Sequence, residues 1–366
     1  MTSLSIECLS RCIAILLLTM IAGSAAAAEP SPALSKIIAE ANKEGRLDVW
    51  AGSLSGGLLG GVDGMTKEIS GMNAMFGTNI VARITPDASS VPQLLNKVAV
   101  SQSSGQPAPA DAFLGTTIHM VTAVAKNMTM PVTWASLLPG RLDDHFVEAD
   151  GMVVRILTTL PGGIVYNTKL APMKPTSLMD LLRPEWKGKL GTTPYGAAFD
   201  LLSANDVWGP EKALDFAKKF SGQISGLVGC QELERIASGE FAGFAMDCGG
   251  RDWDNYARAG APVNFAVPTD FAGRRYYYMF IPKNAAHPNA GILFTTYLLT
   301  AEGQDIQWKT SNTDLDTFPD SHMHKVIADY EKQGITFREF TIAWWKQHPE
   351  TIPAQTKIVE MLTKQQ

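Results

Sequence analysis

Apolar residues recur along this chain with two spacings, one typical of helices and one typical of strands. Residues 32–44 carry four apolar side chains at helical spacing, Leu34, Ile37, Ile38 and Ala41. Gly45 is a helix stop signal, and the apolar run of residues 47–51 predicts a strand after it. The alternation continues with strands predicted over 79–84 and 110–114 and a helix over 91–101. Strands and helices that alternate with short connections indicate an α/β fold around a mostly parallel sheet.

A second α/β pattern begins near residue 153. Its predicted strands lie over 153–157, 162–167, 263–267 and 276–281 and around Leu190, and its predicted helices over 199–208, 211–220 and 233–238. Helices are predicted over 290–299, 325–333 and 337–347 in the last part of the chain. The 366 residues exceed what one core usually organises, so the two patterns indicate two domains.

The N-terminus has the pattern of an export signal. Arg11 precedes an apolar run from Cys12 to Ala22, and small residues continue to Ala28. A basic start, a short apolar core and an Ala-x-Ala site are typical of a secretory peptide. The run is also shorter than the roughly 20 residues that a membrane-spanning helix needs. We therefore expect residues 1–28 to be a signal peptide that is removed after Ala28.

Charge and cysteine content narrow the possible partners. The net charge is −5 at pH 7 and the sequence has no basic stripe, which argues against nucleic acid as a partner. Cys8 and Cys12 fall in the predicted signal, so Cys230 and Cys248 remain in the exported chain. In an oxidising compartment this pair can form a disulfide, and two buried free thiols are the alternative. Two cysteines alone would be an incomplete metal site.

Six short segments follow one another in a characteristic order after the predicted signal. They are Glu44–Trp50, Pro109–Phe113, Gly163–Thr168, Pro175–Leu190 with its Trp-Lys-Gly-Lys run, Ser238–Glu240 and Ala286–Ala290. Together they resemble the bacterial extracellular solute-binding proteins of ABC importers, in the group that takes iron(III), polyamines or phosphonates. The resemblance covers residues 44 to about 304, and the segments that carry it are structural rather than ligand-binding.

This resemblance implies a two-lobed type II periplasmic binding protein fold with a cleft between the lobes. Lobe 1 is expected to comprise residues 29–155 and 278–366, and lobe 2 residues 156–277. Two crossing strands join them, and the lobes close on a solute by hinge motion. The resemblance further implies a periplasmic, monomeric, non-enzymatic receptor without a cofactor, which delivers a small solute to an inner-membrane ABC permease.

Candidate ligand-binding residues follow from position, because ligands of open α/β sheets lie at the carboxyl ends of the strands. Four loops hold that position. Their candidate residues are Ser53 and Ser55, Thr116 and Thr117, Tyr195 and Gly196, and Asp247 and Arg251. Helix capping is the alternative role of each Ser and Thr.

Arg251 is the favoured specificity residue, because a guanidinium in a Gly-rich loop can bind a carboxylate or phosphonate through two hydrogen bonds. An exposed surface arginine is the alternative. Tyr276 and Tyr278 share one face of a predicted strand and are further ligand candidates, with core packing as their alternative. These residues predict an anionic organic solute.

Other functions remain open or are disfavoured. Ferric relatives place two adjacent tyrosines soon after the Ser-Gly-Glu segment, whereas this chain has Met246-Asp247-Cys248 there, which puts ferric binding in doubt. Asp252, Trp253 and Asp254 keep a polyamine possible. A sensor co-receptor with the same fold is another alternative. An enzyme is disfavoured because Gly52–Gly56 has Leu54 where a nucleophile elbow has serine, and no phosphate-loop, zinc-protease or dinucleotide motif occurs.

Overall fold

The computed structural model describes residues 29–51, 58–86 and 91–364. The α-helices are α1 (Pro32–Glu44), α2 (Gly61–Phe76), α3 (Val91–Ser103), α4 (Thr117–Ala125), α5 (Trp134–Leu137), α6 (Phe199–Leu202), α7 (Gly209–Ser221), α8 (Glu234–Ala237), α9 (Asp252–Arg258), α10 (Pro288–Leu298), α11 (Ala301–Ser311), α12 (His322–Lys332), α13 (Ile342–Gln347) and α14 (Thr351–Lys364). The strands are β1 (Arg46–Ala51), β2 (Val81–Pro86), β3 (Phe113–Thr116), β4 (Val147–Glu148), β5 (Val153–Thr159), β6 (Ile164–Asn167), β7 (Leu190–Thr192), β8 (Ile224–Leu227), β9 (Gly243–Ala245), β10 (Val263–Ala266), β11 (Gly273–Phe280) and β12 (Arg338–Phe340). Among these residues, no helix combines the length and the apolar character that crossing a bilayer requires.

Helix α1 shows how local sequence sets an element's ends. The Ser31 hydroxyl accepts a hydrogen bond from the Leu34 backbone N–H at 3.1 Å, and Pro32 occupies the first helical position. Gly45 adopts φ +62° and its N–H donates to the Ala41 carbonyl, which ends the helix in the left-handed form that glycine favours. The bounds therefore agree with the predicted helix.

The sheets are mixed, whereas the sequence predicts mostly parallel ones. One sheet has the order β12-β11-β5-β4 with β3 also paired to β11, another has the order β10-β6-β9-β7-β8, and β1 and β2 form a parallel pair. In the larger sheets β7, β8 and β9 run parallel, but β6 is antiparallel to both β9 and β10. Strand β5 leads the chain from the first lobe into the second and β11 leads it back, so these two strands run antiparallel.

The crossing pair β5 and β11 joins two separate sets of cores. One core contains residues of the first lobe, such as Leu47, Met120 and Leu293. Two further cores are built mainly from residues 160–271. The predicted lobe boundaries, after residues 155 and 277, fall inside the crossing strands.

Two of the C-terminal helices, α12 and α14, pack against cores of the second lobe. Ile358 and Leu362 of α14 pack in a core with Phe216 and Phe220 of the second lobe. Met323 and Ile327 of α12 pack in the core that contains Trp253 and Phe265, also of the second lobe. The reason is the apolar stripe on α14, where the buried residues Ala354, Ile358 and Leu362 recur every four positions and cover the second lobe's helices.

Candidate functional site

Three of the four predicted loops lie in the described part of the chain. Ser53 and Ser55 belong to residues 52–57, outside the described residues. Thr116 and Thr117 stand where β3 ends and α4 begins. Tyr195 and Gly196 follow β7, and Asp247 follows β9, in the sheet of the second lobe.

In the first lobe, the start of α4 presents a neutral histidine. The Thr116 backbone N–H donates to Nδ1 of His119 at 3.2 Å, so the ring proton lies on Nε2. Burial, and to a smaller extent the positive charge of Arg275, lowers the pKa of His119 to about 4. The imidazole is therefore an uncharged hydrogen-bond donor at neutral pH. The Thr117 hydroxyl instead donates to the Phe340 carbonyl at 3.1 Å and serves tertiary packing.

In the second lobe, Tyr195 is partly exposed and its hydroxyl is hydrogen-bonded. The residue as a whole is 46% exposed, while its hydroxyl oxygen accepts the Cys230 backbone N–H at 3.0 Å and lies 3.7 Å from Sγ of Cys248. Burial of the hydroxyl end raises the pKa of Tyr195, with smaller contributions from Asp247 and Glu232. The phenol is thus protonated at neutral pH.

A disulfide joins Cys230 to Cys248 and so connects the loop after β8 with the loop after β9. Asp247 lies directly before Cys248 and is 2% exposed. Its carboxylate accepts the Gly249 backbone N–H at 2.8 Å. Burial outweighs that hydrogen bond and raises the pKa of Asp247 to about 7. At neutral pH this carboxyl therefore holds a proton part of the time.

Tyr277, on the crossing strand β11, is a further candidate that was not predicted from the sequence. In the register of β11 with β3, Tyr277 stands opposite Thr116. Burial is the main cause that raises the pKa of Tyr277 to about 12; the positive charge of Arg275 acts against it, and Tyr195 and Asp247 add to it. We call Thr116, His119, Tyr195, Asp247 and Tyr277 the cleft group, since they come from both lobes and the strand between them.

Tyr276 and Tyr278 do share a face, as predicted, but that face is buried and lies away from the cleft group. The guanidinium of Arg155 lies 4.1 Å from the Tyr276 ring centre, and the Tyr278 hydroxyl donates to Glu148 at 2.7 Å. Both side chains are at most 1% exposed. Alternation along a strand predicts which residues share a face, but which face is turned to the cleft depends on the sheet's packing.

Arg251 also lies apart from the cleft group. It precedes α9, with its guanidinium carbon 5.0 Å from the Trp253 ring centre and 5.6 Å from that of Trp308. Burial lowers its pKa, and Asp254 and Asp314 act against that change. The charge of Arg275 acts on His119 and Tyr277, and its Nη2 donates to both oxygens of Asp200 at 2.7 and 2.8 Å.

Within the described residues, one group of His, Cys, Asp or Glu side chains has the spacing of a metal site: Asp48, Asp111 and His287. Its carboxylates are already engaged. Asp111 accepts hydrogen bonds from the backbone N–H groups of Asp48 and His287 and contacts Nδ1 of His287 at 2.9 Å. Arg83 donates to both oxygens of Asp48. This cluster fixes the start of α10 against β1.

Comparison with known proteins agrees with this architecture. Residues 72–332 match the family model of the bacterial extracellular solute-binding proteins, so the chain belongs to that family. An uncharacterized protein of Haemophilus influenzae is 29% identical over 234 residues, which are 57% of this chain, and the chain spans 64% of that relative's length.

Solved structures share the fold at low sequence identity. The substrate-binding protein of an ABC transporter from Agrobacterium tumefaciens has a TM-score of 0.67 and 16% identity, over 92% of this chain and 97% of that one. The periplasmic binding protein AgtB from A. tumefaciens R10, in complex with agropinic acid, has a TM-score of 0.66 and 15% identity, over 87% and 99%. The chain therefore has the two-lobed type II periplasmic binding protein fold.

Proposed function

We propose that this protein is the periplasmic receptor of an ABC importer, which captures a small solute between its lobes and delivers it to a membrane permease. The match to the solute-binding family over residues 72–332, together with the two-lobed fold, carries the proposal. We assign the solute to the cleft group, whose residues come from both lobes, so that a bound solute stabilises the closed arrangement over the open one. The export signal predicted over residues 1–28 is consistent with this location.

An anionic organic compound, such as a carboxylate or phosphonate, is the solute class that we propose. The cleft group is rich in hydrogen-bond donors. The pKa values of Tyr195 and Tyr277 are raised and that of His119 is lowered, so the phenols keep their protons and the imidazole is neutral. The Tyr195 oxygen accepts from Cys230, and its own proton faces the disulfide sulfur of Cys248, a weak acceptor that a ligand oxygen can replace. Donors of this kind suit an acceptor-rich anion, and the structurally similar AgtB was solved with an organic acid.

A thermal-shift screen of residues 29–366 tests the proposal. The panel contains small carboxylates, phosphonates, phosphate esters, polyamines and ferric ion, because a ligand that binds only the native state raises the melting temperature. We expect a shift with at least one carboxylate or phosphonate. We expect Tyr277→Phe to weaken that binding about tenfold, because it removes one donor from the cleft. Tyr256→Phe is the matched control, since the Tyr256 hydroxyl contacts Glu234 at 3.4 Å elsewhere in the second lobe.

The proposal fails if no compound of the panel shifts the wild-type melting temperature. The placement of the site fails if Tyr277→Phe and Tyr256→Phe bind equally well.

Ferric ion is the second candidate, because two phenols and a carboxylate, those of Tyr195, Tyr277 and Asp247, come together in the cleft group. Binding would require both phenols to lose protons, which their raised pKa values oppose. A visible iron–phenolate absorption band on adding ferric citrate, lost in Tyr277→Phe, would favour iron. A shift with polyamines alone would instead assign Asp247 to an amine.

A further inference from the structure

The chain beyond residue 332 lies outside the family match, yet it contacts both sides of the cleft. We call residues 338–364, which comprise β12, α13 and α14, the C-terminal strap. Strand β12 pairs in parallel with Gly273–Arg275 of the crossing strand. The Phe340 carbonyl accepts from the Thr117 hydroxyl, and α13 packs against α4, so the strap reaches the first lobe's side of the cleft.

The other end of the strap supports the Tyr195 loop of the second lobe. The Gln355 side-chain amide donates to the Gly196 carbonyl at 3.1 Å and, more weakly, to the Tyr195 carbonyl at 3.4 Å. Gly196 has φ +60°, and a Cβ placed on it would lie 2.7 Å from Cγ2 of Val359, one turn after Gln355 on α14. The loop backbone therefore lies directly on the strap.

Tyr195 is fastened at both ends as a result. Gln355 holds its backbone, and the Cys230 N–H and Cys248 Sγ hold its hydroxyl. Between these attachments the residue stays 46% exposed. A large side chain that is both exposed and fixed has little rotamer entropy left to lose when a solute contacts it.

We propose that the C-terminal strap sets the position of Tyr195 in the cleft and that Gln355 is the positioning residue. This inference rests on the proposed function for the role of Tyr195, but the contact with the strap can be tested without any solute. If Gln355 positions Tyr195, a segment outside the family match determines the shape of the second lobe's side of the cleft.

Amide hydrogen exchange in D₂O is the direct test. The N–H groups of Ala197 and Phe199 are hydrogen-bonded within the loop, to the Thr193 hydroxyl and the Gly196 carbonyl, so their exchange reports its opening. We expect Gln355→Ala and Gln355→Glu to speed exchange of the 193–199 peptide about three- to tenfold, the equilibrium factor of one neutral hydrogen bond. Glutamate keeps the size of the side chain and removes the donor. Thr356→Ala, the exposed neighbour whose hydroxyl bonds within α14, should leave exchange unchanged.

Two results would overturn the inference. One is an unchanged 193–199 peptide in both Gln355 variants. The other is faster exchange spread equally over α14 and the loop, which would mean that Gln355 only stabilises the helix. The exchange experiment tests the positioning role separately from the proposed function. If loop exchange is faster in the Gln355 variants but no solute binds in the screen, the positioning role stands and the proposed function fails. If loop exchange is unchanged but Tyr195→Ala abolishes solute binding, the proposed function stands and the positioning role fails.

Discussion

Glu68 is a buried acid, and its replacement by glutamine should change how stability depends on pH. The residue lies on α2 in the first lobe, is fully buried, and neither carboxyl oxygen has a hydrogen-bond partner within the described residues. Burial raises the pKa of Glu68 from 4.5 to about 9. The side chain is therefore protonated in the folded protein at neutral pH and ionised in the unfolded chain.

The size of the effect follows from proton linkage. Below pH 4.5 both states hold the proton and it has no influence on folding. Between pH 4.5 and 9 only the folded state holds it, so the free energy of unfolding falls as pH rises. At about 1.4 kcal/mol per pH unit, the wild type should lose about 4 kcal/mol relative to Glu68→Gln between pH 5 and pH 8. The amide of the variant and the protonated carboxyl of the wild type are both neutral and both lack a partner, so their burial costs nearly cancel. The variant should therefore have nearly the stability of the wild type at pH 5 and be more stable by about 5 kcal/mol at pH 8.

Urea unfolding followed by circular dichroism at pH 5, 6, 7 and 8, at constant ionic strength, measures this difference. Glu185→Gln is the matched control, because Glu185 is exposed and its replacement should give a difference that does not vary with pH. A wild-type-to-Glu68→Gln difference that stays constant over these pH values would refute the reasoning. It would mean that Glu68 is ionised in the folded protein or is hydrated there.

Three further changes have defined outcomes. Gly196→Ala should lower the free energy of unfolding by about 2 kcal/mol, since alanine is strained at φ +60° and its Cβ meets Val359; Val359→Ala should recover the contact part, and a fully stable single variant would contradict this. Reducing the Cys230–Cys248 disulfide, whose cysteines are 18 residues apart in sequence, should lower the free energy of unfolding by about 3 kcal/mol in urea titrations. An unchanged urea midpoint in the presence of reductant would contradict this prediction. Arg251→Ala should lower the free energy of unfolding by about 1–2 kcal/mol, because two cation–π contacts are lost, and should leave the solute affinity unchanged. Weaker solute binding at unchanged stability would instead make Arg251 a ligand residue.

The sequence was enough to predict the two-lobed fold, because the segments that carry the resemblance are packing and turn elements whose structure is local. Helix α1 is an example, since its cap, its Pro32 and its terminal Gly45 all lie within its own residues. Residues 337–347 show the limit of local reasoning. They were predicted as one helix, but Arg338–Phe340 pairs with β11 and a helix begins only at Ile342.

The cleft group could be predicted only in part, for a related reason. Loop position at strand ends nominated Thr116, Tyr195 and Asp247, and these three stay predictions; in the structure Thr116 stands opposite Tyr277 in the sheet. The sequence did not single out Tyr277 and favoured Arg251, because the direction in which each side chain points depends on tertiary packing. A Gly-rich loop can turn its arginine either way, and here the guanidinium lies beside the indole of Trp253, two residues further on, and beside that of Trp308, from a distant part of the sequence. The local sequence contains Trp253 but does not report the contact with Trp308.

The C-terminal strap also bears on the order in which the protein can fold during synthesis. The second lobe's sheet is complete in the chain once β10 has been made, but one of its cores still lacks Ile358 and Leu362, and the Tyr195 loop still lacks Gln355. These residues are synthesised after every other part of that lobe. A lobe cut out at residues 156–277 would therefore expose the apolar surface that α14 covers. The second lobe should reach its native packing only after α14 has left the ribosome.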